Sequence, residues 1–187
     1  MKYLTLLFVL AISFSNSAVG KEYLVDHSTS KITFSGSYVN NPFNGVFEKW
    51  EANINFNADN LSTSSVSATI DTSSAITGDP MIDGALPGKE WFDSTTYPKA
   101  HFKSKSIVKN TDGSYTAKGE LTIRNRTVPV DFKFSLTPPD LASSTVKTNF
   151  NFTLDRLLFD MGKSADPKGE YVGLKIKVAV TLSAAEK

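Results

Sequence analysis

The chain has 187 residues, with 20 Lys and Arg against 19 Asp and Glu, two His and no Cys. That length is enough for one self-sufficient core, and 40% hydrophobic residues with 11% aromatics exclude a disordered chain. The lack of Cys excludes disulfide frameworks, zinc ribbons, iron–sulfur clusters and thiol nucleophiles, and a net charge of +1 lacks the basic footprint of a nucleic-acid binder.

The chain opens on Met1-Lys2, an apolar run over 3–12, a polar stretch over 13–17, and small residues at Ala18 and Gly20. This pattern predicts a secretory signal peptide over 1–20, cleaved after Gly20, and one folded domain over 21–187. The apolar run is too short for a membrane span, which needs about 20 residues. Removing the signal leaves 167 residues with a formal charge of zero. A secreted chain without Cys must hold together by packing alone, which fits a bacterial periplasm better than a disulfide-dependent extracellular domain.

Downstream, apolar residues alternate with a period of two. The first such run is Ile32, Phe34, Gly36 and Tyr38, with Lys31, Thr33 and Ser35 on the opposite face. Next come Trp50, Ala52, Ile54 and Phe56, then Val66, Ala68 and Ile70. A helix would scatter these residues around its circumference, so each run is a strand with one dry face. Residues 73–98 interrupt the pattern. There Asp79 can cap a short helix that begins at Pro80, and Pro87-Gly88 ends it after about two turns. Leu86, Trp91 and Phe92 give this insertion an apolar side, so it is either a plug in one barrel end or a lid over a cavity.

Alternation resumes at Ala100 and Phe102, then along Tyr115, Ala117, Gly119, Leu121 and Ile123. It continues through Val128, Val130, Phe132, Phe134 and Leu136, then Phe150, Phe152 and Leu154. The last run is the clearest, with Val172, Leu174, Ile176, Val178, Val180 and Leu182 on one face. About eight strands result, joined by turn formers such as Thr111-Asp112-Gly113 and Pro138-Pro139-Asp140. Successive strands of this kind form an antiparallel sandwich or close into a barrel. An eight-stranded barrel either just fills with its own side chains or holds one small ligand. Spacing leaves both open, because the small inward residues can interdigitate with the large ones or leave a channel between them.

Four segments in order resemble the YceI family of secreted, lipocalin-like barrels. They are Asp26-His27-Ser28-Thr29-Ser30-Lys31-Ile32-Thr33-Phe34, the stretch from Trp91-Phe92-Asp93 through Tyr97-Pro98 to Phe102, Gly119-Glu120-Leu121-Thr122-Ile123 with Thr127-Val128-Pro129-Val130, and Leu154-Asp155-Arg156-Leu157-Leu158-Phe159. The resemblance covers essentially all of 21–187. It implies an all-β fold: an extended eight-stranded antiparallel lipocalin-like β-barrel with a short helical insertion. It also implies a tunnel that carries a long isoprenoid, a polyprenyl chain or quinone, and no covalent cofactor. The tunnel would be lined by Phe34, Tyr38, Trp50, Ile54 and Phe56, by Phe102, Phe132 and Phe134, and by Phe150, Phe152 and Ile176. Leu86, Trp91 and Phe92 would stand at its lid or entrance. The run Asp83-Gly84-Ala85-Leu86-Pro87-Gly88-Lys89-Glu90-Trp91-Phe92-Asp93 looks like the variant associated with cytochrome b561-type membrane proteins, which implies a redox partner as an alternative role.

Such cargo is physically reasonable. A ten-residue strand is roughly 33 Å long, close to the ~30 Å of bilayer hydrocarbon. Fifteen buried methylenes at about 0.8 kcal/mol each give about 12 kcal/mol before ordering costs are subtracted. The candidate head-group contacts are His27, next to Ser28 at the expected barrel entrance, and Asp155 with Arg156, since Arg offers a fork of donors. Asp155-Arg156 reads equally as a structural pair tying a loop to the barrel. His101 shares a polar face with Lys103. No nucleophile elbow, His-Glu-x-x-His pair or phosphate loop is present, so neither catalysis nor a metal is expected.

Overall fold

The computed structural model describes residues 20–138 and 143–187. The expected signal peptide, up to residue 19, and the turn residues Pro139 and Asp140 lie outside the described residues. Among the described residues, eleven strands form a single antiparallel sheet, and one short α-helix lies outside it.

The eleven strands make eight staves, because three staves are broken. β1 (Lys21–Val25) and β2 (Lys31–Tyr38) form the first, and they pair with β4 (Trp50–Phe56) and β3 (Asn41–Phe47), respectively. β3 and β4 together form the second. β5 (Ser65–Asp71) and β6 (Ala75–Ile76) form the third, pairing with β4 and β3. The breaks fall side by side and are stitched by polar side chains. Ser30 Oγ donates to Ser183 O at 3.2 Å and accepts from Ser183 N at 2.9 Å. Ser74 Oγ accepts from Lys49 N at 3.0 Å. These serines supply hydrogen bonds that an unbroken ladder would otherwise make.

The remaining staves are β7 (Lys99–Lys109), β8 (Tyr115–Ile123), β9 (Arg126–Phe134), β10 (Thr145–Asp155) and β11 (Lys175–Glu186). β5 pairs with β7, β7 with β8 and β8 with β9, whereas β11 pairs with β10 on one edge and with β1 and β2 on the other. Each of the eight alternating runs in the sequence therefore corresponds to one stave. The pieces without a clear run are β1, β3 and β6. β3 was obscured by Pro42 and Gly45, two residues that weaken a strand reading. Gly45 is required there, since a Cβ at this position would lie 2.2 Å from Cζ of Phe34 on the neighbouring strand.

The insertion between β6 and β7 contains α1 (Pro80–Ala85). Asp79 caps it by accepting from Met81 N at 2.8 Å and Ile82 N at 3.2 Å, with Pro80 in the first turn. Asp83 ties its start down, accepting from Thr77 N and Thr77 Oγ1 at 2.6 Å each. Two groups of buried side chains mark the barrel's ends. At the α1 end are Leu86, Phe92, Phe159 and Met161, and at the other are Tyr23, Phe56, Ile107, Tyr115 and Val146.

Candidate functional site: a hollow between two stoppers

Between these groups the barrel is not filled. A cavity of about 270 Å³ runs inside the wall. It far exceeds the single-water voids of a close-packed core and lies just under the ~300–1,000 Å³ typical of small-molecule pockets. Apart from Lys147, Thr148 and Arg156, its lining residues are apolar or aromatic. The inward residues of the middle section, among them Ile54, Phe132, Phe152, Ile176 and Val178, are only half-buried, as expected of side chains that border open space.

Every proposed tunnel residue except Tyr38 lines this cavity: Phe34, Trp50, Ile54, Phe56, Phe102, Phe132, Phe134, Phe150, Phe152 and Ile176. Tyr38 has the right parity, but it lies at the rim, where β2 ends and Val39 and Asn40 turn the chain with positive φ. The residue is 36% exposed and does not line the hollow. The small inward residues divide into two kinds. Ala52, Ala68, Ala100 and Ala117 border the cavity. Gly45 and Gly119 instead give way to the rings of Phe34 and Phe102, which occupy the place of a Cβ.

Leu86, Trp91 and Phe92 close the α1 end over this hollow. Trp91 lies against a polar knot centred on Arg156, which is 2% exposed. Its Nη1 donates to Met161 O at 2.7 Å, and its Nη2 to Asp166 Oδ2 at 2.9 Å, Asp166 O at 2.7 Å and Val172 O at 2.9 Å. Its Nε reaches Val172 O at 3.3 Å, and the guanidinium stacks 5.5 Å from the Trp91 ring. Asp166 accepts from Val172 N and Glu170 N, both at 2.8 Å. These backbone N–H groups, Val172 first, with the Arg156 charge in addition, hold the Asp166 carboxyl below the usual carboxylate range against the opposing effect of burial.

Arg156 is therefore a structural residue, which corrects its expected head-group role, because each of its nitrogens already serves a protein acceptor. Asp155 is likewise committed. It caps the turn at Arg156–Phe159 by accepting from Leu157 N at 3.0 Å, and it pairs with Lys175 at 3.2 Å. Asp166, the true partner of Arg156, escaped sequence reading because nothing in a loop's spacing marks it. His27 is exposed in the break between β1 and β2, part-way along a stave, with its ring 4.7 Å from that of Trp50. It is thus in the wall and not at a mouth. His101 is exposed on the outer face beside Thr69. Among the described residues no group of three or more His, Cys, Asp or Glu could hold a metal.

An antiparallel wall around an apolar hollow defines a lipocalin-like barrel. The model of the YceI-like domain matches residues 23–184, and the chain belongs to that family. A UPF0312 protein of Vibrio cholerae is 27% identical over 125 residues, 65% of this chain and 65% of that protein, slightly under two thirds of its length. BcnA of Burkholderia cenocepacia superposes with a TM-score of 0.80 at 27% identity, covering 87% of this chain and 100% of that one. A polyisoprenoid binding domain from Saccharophagus degradans shares the fold, with a TM-score of 0.68 at 11% identity, over 90% of this chain and 99% of that one.

Proposed function

We propose that the protein is a periplasmic carrier that sequesters the apolar chain of a long isoprenoid lipid, of the polyprenyl or quinone type, without catalysing a reaction. The observation that carries this reading is the hollow itself, about 270 Å³ and walled by apolar side chains. An apolar cavity of ~150 Å³ already binds benzene, so a larger one has a real driving force to take up hydrocarbon. A head group gains nothing from such walls, since burying an unpaired polar group costs free energy. It would stay outside while the chain lies among Phe102, Phe132, Phe150 and Ile176. The polyisoprenoid-binding neighbour from Saccharophagus degradans supports the cargo class, and the signal-like segment over 1–20 supports the periplasm. A membrane cytochrome b561-type partner rests on the 83–93 segment alone.

Mild purification from the native compartment, organic extraction and mass spectrometry test this reading. The expected result is a prenyl lipid or quinone at close to one molecule per chain. Protein that is repeatedly empty, and stays empty when offered such lipids, overturns it.

A further inference from the structure

The wall is not equally closed all round. β8 pairs with β9 through nine residues, from Tyr115 opposite Phe134 to Ile123 opposite Arg126. β10 pairs with β11 through eleven, from Thr145 opposite Ala185 to Asp155 opposite Lys175. Yet β9 and β10, which face each other and complete the circle, share no ladder. Among the described residues their staves meet at one isolated bridge near the end away from α1, Thr137 with Lys147, where each N–H donates to the other's carbonyl at 2.9 Å.

Above that bridge, rings replace backbone hydrogen bonds. Continued, the register of the bridge places Phe134 opposite Phe150 and Phe132 opposite Phe152. The closest pair is instead the diagonal one, Phe132 and Phe150, stacked at 4.2 Å and 5°, with Phe132 and Phe152 at 5.7 Å and Phe134 and Phe150 at 6.4 Å. In a regular antiparallel pair the directly opposed side chains are the closest, so these strands are splayed. All four rings line the hollow and are half-buried. Pro129, which has no N–H to donate, fits a strand with one unladdered edge.

The two ends are closed differently. At one, Phe92, Phe159 and Met161 are buried, and the Arg156 knot fastens the loop there through Met161 and Asp166. At the other, Tyr23, Phe56, Ile107, Tyr115 and Val146 are buried. Opening either end breaks a packed cluster, whereas parting β9 from β10 slides stacked rings and breaks no ladder. The cavity also lies at the small end for a lipid, and this seam is the part of the wall that can spread as a chain fills it.

We propose that the β9–β10 seam is a lateral portal, through which the apolar chain of the isoprenoid passes sideways into the hollow. This rests on the carrier reading above. Its ligand is a slender hydrocarbon chain, because the four rings can stack on a chain that slips between them and offer nothing to a polar group.

The lack of Cys makes the test clean. Lys133→Cys with Asn151→Cys places two exposed thiols opposite each other across the unladdered part of the seam. A short bis-methanethiosulfonate reagent joins them, and dithiothreitol releases them. Trp50 and Trp91, the only tryptophans, both line the hollow, so their fluorescence follows uptake of a nine-unit prenyl alcohol from detergent micelles. The stapled protein should take up the alcohol at least ~10-fold more slowly, as when a moving element controls access. Reduction should restore the rate. A second staple at Lys118→Cys with Asp131→Cys, exposed residues opposite each other in the β8–β9 ladder, should leave the rate unchanged, and Ser135→Cys with Asn149→Cys provides an independent repeat of the slowing. Uptake as fast with the Lys133–Asn151 and Ser135–Asn149 staples as without them overturns the portal and leaves the carrier reading intact. No uptake by the unaltered protein overturns the carrier reading and the portal with it.

Discussion

β10 has two edges that differ in kind. One carries eleven paired residues to β11, and the other meets the neighbouring stave at one bridge and a row of phenylalanines. The first edge is directional, because hydrogen bonds fix register and separation. The second is held by stacking, which tolerates sliding. The proposed carrier would need both: a wall that defines the hollow and one place where the wall can part. The same contrast recurs between the seam and the α1 end, where the stopper is held by the charged Arg156–Asp166 pair at 2.9 Å.

The largest expected effect comes from putting charge into the aromatic seam. Phe134→Glu or Phe150→Glu should abolish copurifying lipid, and burying the carboxylate costs several kcal/mol. Extraction with mass spectrometry reads the lipid, and circular dichroism shows whether the barrel survives. Retained lipid at wild-type levels would remove these rings from the binding site. Arg156→Met is the matching disruption at the stopper. It strips donors from a buried cluster and should cost on the order of 3 kcal/mol in chemical denaturation, with no change expected if the knot were merely decorative.

Hydrogen exchange sharpens the comparison without any mutation. Amides of β10 that donate to β11 should exchange at least ~100-fold more slowly than those directed at β9, since local opening free energies follow local bonding. Equal protection on both edges would mean that the seam is as rigid as the ladder. The smallest effect is a response to acid. The folded-state pKa of Asp166 is lowered, so its contribution is complete above the unfolded value of about 3.9 and is lost as pH falls through the folded one. The Tm should be nearly flat from about pH 7 to 5 and drop below about pH 4, and Asp166→Asn should flatten that drop. An unaltered acid slope in the variant would mean that other carboxylates dominate.

Much of this architecture was legible in the residue pattern. Period-two alternation located all eight staves, because each has one face toward the hollow and one toward water. Asp79-Pro80 announced α1 through cap chemistry. Phe43 and Phe47 were hidden by Pro42 and Gly45 on the same strand, although Gly45 is what lets the Phe34 ring lie against the wall. Tyr38 was misplaced since parity cannot tell where a strand leaves the barrel. Arg156 had the right chemistry for a ligand but the wrong neighbours, and those neighbours sit on a loop that only the fold brings near. The seam left no trace beyond Pro129, because strand pairing is a long-range choice that composition does not record.

The most direct measurement is a titration of Trp50 and Trp91 fluorescence with prenyl alcohols of increasing length. A chain held inside the hollow predicts saturation at one molecule per protein and an affinity that strengthens with each added isoprene unit until the cavity is spanned. Fluorescence that stays unchanged at saturating alcohol, or an affinity indifferent to chain length, would contradict it.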